Sequence, residues 1–327
     1  MNTVAADAIP LRKRTAARLT PLAPFHFEGT VYKPSHFPAP ISAFRDGIYW
    51  QTMRLGDDLL GVRMEEAGST HRPAIDVALY SASPLDQERT AAALAELSWR
   101  FDLAVDLSQF NRDFESDAVL GPVIDRWRGM RISASDSLYE TLIIYITLQN
   151  ATVRRTVQMT EALLSTYGTA LEFDGQALYA FWKPKEMARV PDQALRDLKV
   201  GYRAVSILRN SEAFAVAPHL EVSLRGLPQD EARRRLLALY GVGPVTVDGL
   251  LFGFLHHFDA LNYMPPWEGK ILSRIIFGEE RSPAETLEEI TRRWEPWRAL
   301  AAHYLFEDLF WRHSRTPIPW LQELIRL

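Results

Sequence analysis

Two short stretches of this 327-residue chain hold the residues whose types and spacing could do chemistry. In the first, a helix is expected to end at Tyr240, Gly241 and Gly243 flank Val242, and Pro244 stands where a first-turn proline suits a new helix. Glycine admits positive φ and the close approach of another chain. The amides from Gly241 and Val242 through Gly243 to Val245, with the positive end of the second helix, would form a cup for one phosphate oxygen. That cup needs no side-chain charge, and the same pattern also serves an ordinary tight turn between helices. In the second stretch, Pro265-Pro266 ends an irregular loop and leaves Glu268 in the first turn of a helix, where the dipole favours negative charge. A carboxylate held there can act as a base or stabilise a developing cation, or it can simply cap the helix.

Composition limits what else could carry function. With no cysteine, the chain has no disulfide framework, thiolate zinc site, iron–sulfur cluster or thiol nucleophile. Hydrophobic residues make up 47% and charged residues 24%, enough for a buried core, and the length favours two domains. The net charge of -4 argues against indiscriminate coating of polyanions. No apolar run is long enough for a membrane span and residues 1–20 lack a signal core, so a cytoplasmic protein is expected, at the nucleoid in a bacterium. His256-His257 point to different faces of a helix without a third ligand, so no metal site is expected.

The elements that must position these stretches fall into two textures meeting near Gly121-Pro122. Short β-rich runs come first: Gly29 to Tyr32, Ile48 to Leu55, Leu59 to Met64 and Ala74 to Tyr80, read as an antiparallel sheet, with a helix from Asp86 to Leu97. From Val119 onward almost everything reads as helix. Leu138, Leu142, Ile146, Gln149, Val153 and Val157 form an apolar stripe interrupted by one polar residue. Further helices are expected over 152–167, 192–198, 201–214, 230–240, 245–256, 267–277, 283–292 and 297–311. The division is a flexible basic tail over 1–19, an N-terminal α+β domain over 20–118 and an α-helical domain over 119–327.

On these motifs the sequence resembles the helix-hairpin-helix (HhH-GPD) superfamily of DNA glycosylases, in the branch of 3-methyladenine and 8-oxoguanine glycosylases. The family hairpin is similar to Tyr240-Gly241-Val242-Gly243-Pro244, and its Pro-x-Asp helix to Pro266-Trp267-Glu268 followed by Ile271 and Arg274. Gly201-Tyr202-Arg203-Ala204 and Trp294-Glu295-Pro296-Trp297-Arg298 resemble two further family segments. The resemblance implies an antiparallel-sheet α+β domain followed by a helical helix-hairpin-helix domain. It also implies Gln149 and Asn150 near the gap left by a flipped base, and Phe306 against that base with Trp267 and Gly249. Glu268 stands where the family has its catalytic aspartate. Val245 stands where bifunctional members carry a lysine, so a Schiff-base lyase step is not expected. Val245 and Gly249 also replace pocket aromatics of the alkylation-repair members, and Gly249 is read as leaving space for a larger base.

The expected function is therefore a monomeric DNA repair glycosylase. It would flip a damaged purine from duplex DNA and hydrolyse its N-glycosidic bond, with Glu268 stabilising the sugar cation and orienting water. The alternative is a catalytically silent DNA-binding protein of the same fold. Gln149 and Asn150 read equally as a polar cap, and Phe306 equally as core. Phosphate contacts are expected from Arg154 and Arg203, though surface arginines are commonly just solvated. No cofactor is required; the resemblance implies only an alkali cation at the hairpin.

Overall fold

The structure, a computed structural model, describes residues 8–132 and 136–325. Its strands are β1 (Ile9–Pro10), β2 (Lys13–Leu19), β3 (Ser42–Arg45), β4 (Ile48–Leu55), β5 (Asp58–Glu66), β6 (Ile75–Ser81), β7 (Thr169–Phe173) and β8 (Gln176–Ala180). Five of them form an antiparallel sheet in the order β2-β6-β5-β4-β3. The other three form a small sheet, β1-β7-β8, in which β1 and β7 run parallel. Two hairpins turn on Asp-Gly pairs, Asp46-Gly47 and Asp174-Gly175, with both central residues of each at positive φ. That mirror-image turn matches the twist of the flanking strands and suits Asp-Gly.

The helices are α1 (Phe27–Val31), α2 (Gln87–Arg100), α3 (Ser108–Phe114), α4 (Gly121–Arg126), α5 (Leu138–Leu148), α6 (Val153–Tyr167), α7 (Pro184–Met187), α8 (Asp192–Asp197), α9 (Arg203–Val216) and α10 (Leu220–Leu224). They continue with α11 (Gln229–Leu237), α12 (Pro244–Gly253), α13 (Pro266–Phe277), α14 (Pro283–Trp294), α15 (Arg298–Arg315) and α16 (Pro319–Leu324). The starts follow from local chemistry: Ser137 and Glu140 cap α5 reciprocally, Thr152 caps α6, and Ser282 with Glu285 caps α14.

The apolar faces gather into separate cores. Met53, Leu60, Val62 and Leu79 of the large sheet pack against Ala93 and Leu97 of α2. One helical core joins Leu142 and Ile146 of α5, Leu163 of α6, Ile207 of α9, Leu236 of α11 and Leu250 of α12. A second joins Phe110 of α3, Ile124 of α4, Leu272 of α13, Trp294 of α14 and Tyr304 of α15. The α12–α13 loop crosses between them: Ala260 belongs to the first core, Leu261 and Met264 to the second.

The α+β region followed by helices is as expected, with four differences. Gly29 to Tyr32 is not a strand: Phe27–Val31 is helical, because the His26 ring nitrogen accepts the Gly29 N–H at 3.1 Å and caps the turn. The apolar stripe from Leu138 to Val157 is two helices, broken where Asn150 takes a φ of 48°. The tail expected over 1–19 is ordered strand at Lys13–Leu19, paired along its length with β6; residues 1–7 lie outside the described residues. Finally, the β7–β8 hairpin interrupts the helical region and docks on the large sheet, so the division at 118/119 is not a clean one. Trp50 and Tyr80 each donate a hydrogen bond to Asp174, at 2.7 and 2.8 Å, and Phe173 fills the space over Gly61 where a Cβ would stand 2.4 Å from its ring.

Candidate nucleic-acid interface and active site

The hairpin between α11 and α12 is built as a close-approach surface. Gly241 has a φ of 71°, and a Cβ there would also meet Ser206 Oγ at 2.9 Å, so two constraints demand glycine. Around Gly243 a Cβ would meet nothing within 4 Å, which leaves the α12 N-terminus open. Val242 turns its side chain into the core, 8% exposed, and its amide donates to Leu239 O at 3.3 Å. The expected cup is therefore reduced to the amides of Gly241, Gly243 and Val245, because Pro244 has none. The Val245 side chain is 42% exposed beside it.

Gln149 and Asn150 lie alongside. The Gln149 side-chain amide donates to Gly241 O at 2.9 Å, and that of Asn150 to the Tyr202 hydroxyl at 3.1 Å. Arg203 does not reach solvent as a phosphate contact should. Its side chain is buried, donates to Gln149 O and lies over the Tyr202 ring at 4.8 Å. The guanidinium therefore braces the α5–α6 turn, which corrects the expectation for Arg203. Arg154 is exposed on the first turn of α6, without an ion pair among the described residues. The carbonyls of Tyr240 and Gly241 accept side-chain N–H groups from Asn210 and Gln149. Among the described residues no cluster of His, Asp and Glu could hold a metal.

Glu268 is the third helical residue of α13, after Pro265 at the N-cap and Pro266. Gly269 behind it allows the helix to approach Met264 and Pro283, whose atoms would stand 3.2 and 3.3 Å from a Cβ. The loop leading to Glu268 is clamped along its length. Phe258 stacks on Trp297 at 5.6 Å, Arg298 grips Asp259 with two side-chain N–H groups, and Asp248 of α12 accepts the Asn262 and Tyr263 amides. The Glu268 carboxylate is partly buried and has no hydrogen bond or ion pair among the described residues; burial pushes its pKa up to about 7.

Trp267, 51% exposed, meets Phe306 edge-on at 5.8 Å, and Phe306 in turn lies on Phe310 at 4.7 Å. Trp267 and Phe306 thus come together where α13 meets α15, and Glu268 follows Trp267 in the first turn of α13. Gly249 differs from its expectation: the space beside it is filled by Tyr145 of α5, whose hydroxyl stands 2.3 Å from where a Cβ would be. Sequence reasoning missed Tyr145 and Asp248. Tyr145 sits one position before Ile146 of the α5 stripe, off the apolar face, and Asp248 is a lone carboxylate inside an otherwise apolar helix start.

No protein-family model matches the chain. A probable N-glycosylase/DNA lyase of Methanothermobacter thermautotrophicus is 27% identical over 232 residues, covering 64% of this chain and 73% of that protein. A probable bifunctional transcriptional activator/DNA repair enzyme AlkA of Mycobacterium tuberculosis is 25% identical over 89% of this chain, which spans 56% of that relative's length. The solved 3-methyladenine DNA-glycosylase of Archaeoglobus fulgidus superposes with a TM-score of 0.73 at 18% identity, over 90% of this chain and 98% of that one. The apo 8-oxoguanine glycosylase/lyase of Clostridium acetobutylicum does so with a TM-score of 0.68 at 17% identity, over 92% and 98%.

The chain thus shares the fold of these solved DNA glycosylases and is similar in sequence to relatives named as DNA repair glycosylases. No helix of the described residues is long and apolar enough to cross a membrane.

Proposed function

We propose that the protein is a monofunctional DNA glycosylase that extrudes a damaged purine from duplex DNA and hydrolyses its N-glycosidic bond. The observation that carries this reading is Glu268: a partly buried carboxylate in the first turn of a helix, without a hydrogen-bond or ion-pair partner among the described residues. Even a partly buried carboxylate without a cation is unfavourable when ionised, which a positively charged partner arriving at the site would relieve. The positive charge that develops on the deoxyribose as the glycosidic bond stretches is such a partner, and in a water-poor site the attraction is far stronger than in solvent. Ionised Glu268 then orients the attacking water and takes its proton while the base departs with the bond's electron pair.

The hairpin supports the same reading. Three free amides and a helix N-terminus can hold one backbone phosphate without a basic face, consistent with a chain of net charge -4. Arg154 would add a second phosphate contact. Gln149 and Asn150 would have to release Gly241 and Tyr202 to enter the gap left by the base. Val245 offers no amine for attack on the sugar, so the product is an intact abasic strand. The protein is read as acting as a monomer on double-stranded DNA.

The test is a single-turnover assay on duplexes carrying alkylated, deaminated or oxidised purines, with alkali added to reveal abasic sites, for wild type and Glu268→Gln. Base release that vanishes in the variant is expected. Salt-sensitive binding with no release from any lesion would instead identify a silent DNA binder.

A further inference from the structure

Exposed aromatic rings are not scattered over this molecule. Among the described residues five are exposed, and four of them, Tyr202, Tyr240, Tyr263 and Trp267, lie on the hairpin, beside the α5–α6 turn bonded to it, or along the stretch that leads into α13. Singly such rings need no explanation; gathered around one hairpin they mark a surface that something covers. Three of the four already have a place: Tyr202 accepts from Asn150 and lies under Arg203, Tyr240 opens the hairpin, and Trp267 meets Phe306. Tyr263 has none. Its ring is 47% exposed, and its side chain makes no hydrogen bond or ring contact among the described residues. Its backbone, in contrast, is fixed, because Asp248 accepts the Tyr263 N–H at 3.1 Å and the Asn262 N–H at 2.7 Å. Asp248 lies one helical turn past Val245, whose amide belongs to the phosphate cup, and Tyr263 lies five residues before Glu268. The ring is therefore tethered to the cup on one side and to the carboxylate on the other. Residues 257–268 contain no lysine or arginine, so this stretch offers DNA an aromatic face rather than a cationic side chain.

We propose that Tyr263 is a stacking residue for the damaged strand: its ring lies against the sugar and base of the nucleotide whose phosphate the cup holds. This rests on the reading of the protein as one that handles DNA with an extruded base. Extrusion unstacks the neighbouring nucleotides and leaves base faces bare. An aromatic side chain covers such a face whatever the sequence, since every base has one. A ring on a backbone already held by Asp248 gives up less freedom on contact than one on a loose loop. The contact also supplies affinity that salt does not screen, in a chain of net charge -4 that has no broad basic excess to draw on. Undamaged duplex keeps its bases stacked and offers no such face, so Tyr263 selects DNA in which a base has left the helix.

The test is fluorescence anisotropy at several salt concentrations on two duplexes, one undamaged and one carrying a tetrahydrofuran abasic analogue. Tyr263→Ala should weaken binding to the analogue duplex by about tenfold at every salt concentration, leave the slope of log affinity against log salt unchanged, and alter binding to the undamaged duplex little. Tyr263→Phe keeps the ring and should bind like wild type. Both variants keep the backbone N–H that Asp248 holds, so their melting temperatures should match that of wild type. With 2-aminopurine placed next to the analogue, on each side in turn, binding of wild type should quench its emission at one of the two positions, and binding of Tyr263→Ala should quench it less. Equal losses for Tyr263→Ala and Tyr263→Phe would assign the contact to the hydroxyl, and a shallower salt slope for Tyr263→Ala would mean that phosphate contacts were lost; either result overturns the proposal. Equal affinities for wild type and Tyr263→Ala overturn it as well. None of these readouts needs turnover, so a protein that shows the expected pattern but releases no base would refute the glycosylase reading and still support the stacking role.

Discussion

Asp248 and Asn262 are joined twice: one carboxylate oxygen of Asp248 accepts the Asn262 backbone N–H at 2.7 Å, and the other accepts its side-chain amide at 3.2 Å. The first oxygen also takes the Tyr263 N–H at 3.1 Å, and the second is held by Arg233 of α11. A single carboxylate thus ties the helix before the hairpin, the helix after it and the loop that delivers Glu268. The position of the phosphate cup relative to the carboxylate is set here as much as by apolar packing.

Asp248→Ala leaves two backbone donors and a guanidinium without their acceptor and should destabilise the fold by ~2–4 kcal/mol. Asp248→Asn keeps one acceptor and should cost about half as much. Urea denaturation of both variants checks this; equal midpoints for Asp248→Ala and wild type would refute the role.

Protonation of Glu268 gives a signed pH dependence. The folded protein keeps a proton up to about pH 7 that the unfolded chain releases near 4.5. Stability from this group is therefore present at low pH and is lost as pH rises through that window. Glu268→Gln should raise stability by about 1–3 kcal/mol at pH 8 and by nearly nothing at pH 4, read from paired urea titrations. The same substitution should lower the cleavage rate by about 10²–10⁴-fold. A stabilised, inactive variant is the expected signature of a carboxylate kept for chemistry.

The two hairpin glycines should separate folding from binding. Gly241→Ala forces a side chain to a φ of 71° and against Ser206, so its melting temperature should fall, by an amount corresponding to ~1–3 kcal/mol. Gly243→Ala meets open space at ordinary backbone angles, so melting should be unchanged while duplex affinity drops, because the added methyl holds the phosphate off the amides. Fluorescence anisotropy at several salt concentrations, with thermal melts, distinguishes them.

Borohydride trapping tests the absent amine. Wild type incubated with lesion-containing duplex and borohydride should yield no covalent adduct, and strand breaks should need alkali. An adduct would mean that a lysine other than one at position 245 reaches the sugar.

Elements governed by local signals were legible in the sequence. The capping serine of α14, the proline starts of α12 and α13 and the long apolar stripes fix helices whatever surrounds them. The β7–β8 hairpin, with its Asp174-Gly175 turn, falls in a region that reads as helical; β1 and the large sheet cover its short strands, and that pairing is distant in sequence. At the site, the place of Glu268 in a first helical turn could be read from Pro265-Pro266, whereas Trp267 and Phe306 came only from the family resemblance. Arg203 could not: whether a guanidinium faces phosphate or a buried carbonyl depends on Gln149, 54 residues away in sequence. Tyr145 was hidden for a related reason. The absence of a side chain at Gly249 looked like empty room, and only the third dimension reveals its tenant.

The parallel pairing of Ile9 and Pro10 with Leu171 and Glu172 carries the chain's beginning past the whole sheet region to the helical half. With Leu11 buried against Leu171 and Phe173, the first strands work as a stitch. Cutting the protein at the textural boundary near Gly121 would leave β7 as a bare sheet edge, open to pairing with other chains. The two halves are therefore one unit for purposes of expression and engineering, and the helical half alone is a poor candidate for a minimal enzyme.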